Sequence, residues 1–142
     1  MSAAGAAGAR GLVVHVDGGA RGNPGPAAIA AVVSKPDGEV LEERHETIGP
    51  ATNNVAEYRA LLLGVERAAE LGARDVELVG DSELVVRQVR GEYKVKDSAL
   101  RKLNERVREG LDQFDSWKIT HVRREDNAGA DRLVNEALDA EG

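Results

Sequence analysis

The 142-residue sequence predicts an α/β fold: a five-stranded mixed sheet, an antiparallel meander followed by parallel strands, with helices on its faces. Three observations predict it. Segments 12–17, 27–35 and 39–48 are β-type in pattern and follow one another with no helical stretch between them. From residue 52 onward, helical and strand patterns alternate instead. The first segment is apolar in both alternating sets, which suits a central strand covered on both sides.

Each element follows from local chemistry. Segment 12–17 ends on Asp17, and a Gly/Pro-rich loop is expected to follow at once, over 18–26. Segment 27–35 is the second strand, and Pro36-Asp37-Gly38 is a strong turn signal after it. Segment 39–48 is more polar and is placed at a sheet edge, with Gly49-Pro50 breaking the chain. Thr52, Asn53 and Asn54 then offer caps for a helix whose apolar positions Val55, Tyr58, Leu61, Leu62, Val65 and Ala69 keep helical spacing until Gly72. A short strand over 76–80 ends at Asp81. Ser82 caps a helix with Leu84, Val85 and Val89 facing inward, closed by Gly91. A helix over 98–114, a strand over 117–122 and a last helix starting at Asp126 or Asn127 complete the order βββαβααβα.

Length and composition set the bounds. One domain over 12–142 is expected, preceded by a flexible Ala/Gly-rich tail over 1–11. There is no cysteine, which excludes a disulfide framework, a zinc knuckle and a thiol nucleophile. No segment has the apolar run of a signal peptide or a membrane span, so a cytoplasmic protein without membrane attachment is expected. The net charge of −6 argues against a binder that holds nucleic acid by electrostatics alone. The charge is uneven, however. Residues 87–108 hold eight basic and three acidic side chains, a local +5 that leaves −11 elsewhere. Such a chain suits a polyanion held at one place and cations at another.

Four acids stand where elements begin or end: Asp17, Glu57, Asp81 and Asp131. On the long helix, Asn54, Glu57, Leu61 and Gly64 share a stripe, which places Glu57 beside the buried face and lets the helix approach the sheet at Gly64. If the fourth strand lies parallel beside the first, Asp17 and Asp81 become neighbours at the carboxyl edge, where ligands of such sheets collect. Taken singly, each acid has a commonplace reading as a turn residue or a charge favourable to a helix N-terminus. Their conjunction points to oxygen-ligated hard cations, Mg²⁺ or Mn²⁺, two of which can activate a water and stabilise a leaving oxygen of a phosphodiester. The glycine loop lacks the Gly-Lys-Ser/Thr ending of a phosphate-binding loop and leads into a strand, which excludes the common nucleotide-binding motifs.

Four stretches together resemble type 1 ribonuclease H. They are Val16-Asp17-Gly18-Gly19-Ala20-Arg21-Gly22-Asn23-Pro24-Gly25, Thr52-Asn53-Asn54-Val55-Ala56-Glu57, Gly80-Asp81-Ser82-Glu83-Leu84-Val85-Val86 and the segment from His121 to Asp131. The resemblance covers about residues 12–139 and is to the shorter members, because 91–98 is too short for the Trp- and Lys-rich protrusion of many bacterial ones. It implies a ribonuclease H-like fold and endonucleolytic cleavage of the RNA strand of RNA/DNA hybrids with two Mg²⁺ or Mn²⁺ ions. Asp17, Glu57, Asp81 and Asp131 would be the catalytic metal ligands. Gly18, Gly19, Asn23, Asn53 and Asn54 fall where family members contact the hybrid. Arg21 and Ser82 are further substrate-binding candidates, with Arg21 read either as a phosphate contact or as a salt bridge to the acidic body. The auxiliary residue near the last acid is a His in one branch and an Arg in another. His121 and Arg124 stand at those two places, and His121 is preferred. An arginine cannot donate a proton near neutral pH, so the two imply different chemistry. His15 is read as a core or supporting residue and His45 as solvated. A monomer is expected, or one unit of a longer fused chain. Two rival readings are carried: a non-catalytic hybrid-binding module, which would be expected to lack one of the four acids, and a nuclease of the same fold acting on other RNA.

Overall fold

The computed structural model describes residues 11–141, and all that follows concerns them. The expected tail over 1–10 lies outside the described residues. Gly11, assigned to that tail from the sequence, instead opens the first strand.

Five strands form one mixed sheet in the order β3-β2-β1-β4-β5. They are β1 (Gly11–Ala20), β2 (Gly25–Ser34), β3 (Val40–Ala51), β4 (Asp75–Gly80) and β5 (Ser116–His121). The first three pair antiparallel, and β4 joins β1 and β5 in parallel. The helices are α1 (Asn53–Glu70), α2 (Glu83–Val89), α3 (Ser98–Leu111) and α4 (Ala128–Glu141), with a 3₁₀ turn over Arg124–Asn127 leading into the last. The mixed sheet flanked by helices stands as expected.

Alternation along the strands divides the core in two. Leu12, Val14 and Val16 of β1, with Ile29, Ala31 and Val33 of β2, bury against α1–α3. Ala28, Ala30 and Val32 point the other way and bury under Ala130, Leu133, Val134, Ala137 and Leu138 of α4. The small side chains of β2 let both layers sit close, which is why this strand is buried over nearly its whole length. Gly64 does the same for α1. A Cβ there would lie 2.8 Å from Val16 Cγ1 and 3.1 Å from Val14 Cγ1, so the helix rests on β1 through its backbone.

Several local expectations are corrected. The chain does not turn after Asp17: β1 runs on through Gly18 and Gly19 and pairs as far as Ala20 with Ala27, leaving only 21–24 as the loop. Gly49-Pro50 does not end β3, which continues to Ala51 with Pro50 opposite Pro26. An edge strand tolerates a proline because its missing N–H faces away from the ladder. Leu84 does not face inward; it is 42% exposed on the first turn of α2, while Val85, Val86 and Val89 are buried. The α3 helix stops at Leu111 rather than 114, although Phe114 still reaches the core.

Thr52 and Ser82 cap their helices as the sequence implies, and Asp97 is a third cap that the sequence reading does not name. Thr52 Oγ1 accepts from Val55 N at 3.2 Å, Ser82 Oγ from Val85 N at 3.3 Å, and Asp97 Oδ1 from Leu100 N at 2.9 Å. Gly72 ends α1 with φ +83°, a conformation that L side chains rarely adopt.

Candidate active site

The parallel pairing of β1 with β4 sets the site. His15 lies opposite Val79, so Asp17 and Asp81, each two residues further on, continue the two chains side by side at their carboxyl ends. The α1 N-terminus is drawn to the same edge by close backbone contact. A Cβ on Gly18 would overlap the carbonyl oxygen of Ala56, so only glycine lets β1 meet the first turn of α1, where Glu57 follows. Ser82 couples the next helix to that turn. Its oxygen caps α2, and its hydroxyl donates to the Glu57 carboxylate. Asp131 arrives from the first turn of α4.

Asn127 holds that fourth acid in place. It is 1% exposed, and its Nδ2 donates to the Val16 carbonyl at 2.8 Å, next to Asp17 and one helical turn before Asp131. Sequence reading took it only as a helix start. The available signal was an asparagine i−4 to the last acid, the spacing that puts both on one helix face.

All four acids line one cavity of about 370 Å³ together with Gly18, Gly19, Arg21, Asn53, Asn54, Ser82 and Arg124. Asn23 and His121 are not in that wall. Asn23 works behind it: its Oδ1 accepts from Asn53 N at 3.1 Å, while Asn53 Oδ1 accepts from Ala20 N at 2.9 Å. The two amides lash the 21–24 loop to α1. His121 sits exposed at the tip of β5, paired with Gly80. Arg124 therefore shares the cavity with the acids, and the preferred His121 does not. Arg21 forms an ion pair with Asp139 at 2.7 Å. His15 is half-buried, and burial holds its imidazole below the usual value against an opposing pull from Glu77.

Gathering carboxylates in a partly buried place opposes their ionisation. Asp17 is raised to about 8, first by burial, then by the charges of Asp81 and Asp131, the hydrogen bond shared with Asp131, and Glu57. Glu57 is raised to about 7, again first by burial; the Ser82 hydrogen bond and the Arg124 charge pull it back, and Asp81 pushes it up. Asp81 Oδ2 is buried with no hydrogen-bond partner among the described residues. An unpartnered carboxylate oxygen beside two acids held toward their neutral forms suits a partner of positive charge. The donor set, carboxylate oxygen without sulfur or imidazole, fits a hard divalent cation. As the side chains stand, no group of three or more acids or histidines among the described residues is arranged to hold a metal ion.

Comparison with known proteins now gives the family. The reverse transcriptase-like family pattern matches residues 15–137. A curated ribonuclease HI of Halobacterium salinarum is 52% identical over 132 residues, covering 92% of this chain and 66% of the relative. The chain belongs to the ribonuclease HI family. The bifunctional protein Rv2228c of Mycobacterium tuberculosis is 47% identical over 130 residues, 91% of this chain and 36% of that protein. This member of the ribonuclease HI family thus spans just under two thirds of one of these relatives and about a third of the other. Among solved structures, LC11-RNase H1 in complex with an RNA/DNA hybrid superposes with a TM-score of 0.87 at 41% identity, covering 92% of this chain and 98% of that one.

Proposed function

We propose that this chain is an endoribonuclease that cleaves the RNA strand of RNA/DNA hybrids in a divalent-metal-dependent hydrolysis. The observation that carries the proposal is the meeting of Asp17, Glu57, Asp81 and Asp131 in one cavity whose other wall is the glycine edge of β1 and the Asn53-Asn54 turn. A relative of the same family, LC11-RNase H1, is described in complex with such a hybrid.

The four acids would hold Mg²⁺ or Mn²⁺, and two ions are the reading we retain; bound there, they supply an activated water and charge neutralisation at the leaving oxygen. The chain's own residues do the rest. Gly18 seats the first turn of α1 against β1, and the backbone of Gly18 and Gly19 lines the cavity that would receive the nucleic acid. The cavity-facing amides of Asn53 and Asn54 offer donors and acceptors to base edges and to the 2′-hydroxyl, the group that distinguishes RNA from DNA. Ser82 orients the Glu57 carboxylate through its hydroxyl. Arg124 offsets negative charge on the Glu57 side of the cavity. We read the protein as a monomer acting in the cytoplasm, alone or as the ribonuclease H unit of a longer chain. Among the described residues no helix is long and apolar enough to cross a membrane.

The test is nicking of an end-labelled RNA/DNA hybrid in Mg²⁺ or Mn²⁺ against EDTA, with duplex RNA and single-stranded RNA as competitors. Hybrid-selective nicking that disappears in EDTA is expected. Cleavage undiminished in EDTA overturns the metal assignment. Hybrid binding without turnover in either metal identifies a binding module instead, and preferential cleavage of a competitor identifies a different RNA substrate.

A further inference from the structure

Arg21 is the one basic side chain in the loop between β1 and β2, and it lines the same cavity as the four acids. Its backbone is fixed. Its N–H donates to the Pro26 carbonyl at 2.8 Å, and a Cβ on Gly25 would overlap its own carbonyl oxygen, so the loop closes tightly behind it. The Asn23 and Asn53 amides tie the flanking residues to α1.

The side chain crosses to α4. One terminal nitrogen lies 2.7 Å from Asp139 Oδ1 and 3.4 Å from Asn135 Oδ1, and Asn135 in turn donates to the Asp131 carbonyl at 3.1 Å. The guanidinium and its carboxylate are 48% and 69% exposed. An ion pair so open to water is weak and readily exchanged. A phosphodiester offers the same guanidinium two oxygens in the matching fork geometry. Arg21 thus lines the cavity but reaches to Asn135 and Asp139 in the second half of α4, not to Asp131 at its start.

We propose that Arg21 binds a backbone phosphate of the hybrid away from the cleaved bond and is held in reserve by Asp139, so that substrate and Asp139 compete for one guanidinium. This rests on the hybrid-cleavage reading. The loop ties keep the Arg21 backbone in place, and only the side chain swings from α4 to the incoming strand.

The experiment is steady-state cleavage of an RNA/DNA hybrid by the full chain over a range of salt concentrations. Parent, Arg21→Ala, Arg21→Gln, Asp139→Asn and the double variant Arg21→Ala/Asp139→Asn are compared. Arg21→Ala and Arg21→Gln are expected to raise KM about fivefold with kcat within about twofold, and to lower the salt slope by about one phosphate contact. Asp139→Asn is expected to lower KM by about two- to threefold, because the competitor is gone. In the double variant the Asp139 change is expected to have no effect. Unchanged KM in the Arg21 variants overturns the proposal. So does an unchanged or raised KM in Asp139→Asn, and so does an Asp139 effect that persists without Arg21, which marks a general field effect. The parent arm separates the two levels: a parent that neither binds nor cleaves the hybrid overturns the reading beneath the proposal as well.

Discussion

At the scale of single residues, the site gathers carboxylates in a partly buried place, and burial and neighbouring charge hold Asp17 and Glu57 toward their neutral forms. Asp81 stands beside them with a buried oxygen that has no partner among the described residues. Asp81→Asn keeps the volume, removes the charge and relieves Asp17 of its largest neighbouring repulsion. It is expected to leave the far-ultraviolet circular dichroism unchanged and to reduce hybrid cleavage by at least about 100-fold, since a lost metal ligand removes charge stabilisation at the reacting phosphate. Arg124 and His121 separate in the same assay. Arg124 lines the acid cavity and its charge acts on Glu57, while His121 is exposed at the end of β5 and outside that wall. Arg124→Ala is expected to lower kcat by about tenfold and His121→Ala by no more than about twofold. The reverse order would put the proton-donating residue at position 121. The sequence places both side chains near Asp131 and favours His121 without seeing the cavity wall, which depends on how the 3₁₀ turn over Arg124–Asn127 folds back from β5.

At the scale of elements, α1 carries the most. It brings Glu57 to the site just past its first turn and rests on the sheet at Gly64, where Val16, Val14 and Leu78 leave no room for a side chain. A valine at 64 must push α1 off β1, and Gly64→Val is expected to cost about 1–3 kcal/mol in urea unfolding. This contact was legible in the sequence as a glycine on the same stripe as Glu57 and Leu61. A second device was not. Tyr58, fully buried, donates to Gln88 Oε1 at 2.7 Å and accepts from Asn104 Nδ2 at 3.2 Å, joining α1, α2 and α3 through one hydroxyl. Tyr58→Phe strands two buried polar groups, and a loss of about 1–3 kcal/mol is expected from the same measurement. The tyrosine read as an ordinary apolar position because helical periodicity records which face is buried, not what waits across it. Leu84 was misplaced for a related reason: a seven-residue helix is too short for its pattern to distinguish inward from outward at the first turn.

At the scale of the whole molecule, the acid cluster makes stability depend on pH and on divalent cation. The folded-state value of Asp17 is raised to about 8 and that of Glu57 to about 7, chiefly by burial. Between about pH 4 and those values, the unfolded chain has released these protons while the folded chain still holds them. Folding is therefore undermined as pH rises through that window. The metal-free protein is expected to melt at progressively lower temperature from about pH 5 to pH 8. Asp17→Asn should flatten that trend, and saturating Mg²⁺ should raise the midpoint most at the alkaline end, since the ion binds only the folded, ionised cluster. A midpoint indifferent to Mg²⁺ across the range would contradict a cluster built to receive a cation. The charge imbalance between residues 87–108 and the rest belongs to this scale too, and part of it is spent internally. Arg87 pairs with Glu83 and Glu92, and the Arg90 guanidinium donates to the Ile119 carbonyl at 2.8 and 3.0 Å.

What the sequence determined by itself is the element order, the mixed sheet and the choice of four acids as candidates. Those properties are carried by local patterns, namely alternation, caps, turn residues and the spacing of motifs. The tertiary structure alone decided which groups share a cavity. It placed Arg124 in the wall and left His121 outside, put Asn127 on the Val16 carbonyl, and turned Asn23 and Asn53 into ties for the loop that carries Arg21. It also extended β1 past Asp17 and β3 past Pro50, because ladder pairing with β2 outweighs the local tendency of glycine and proline to end a strand. Such contacts join residues 30 to more than 110 positions apart. No local rule encodes them, because their free energy exists only once the packed core has brought those residues together.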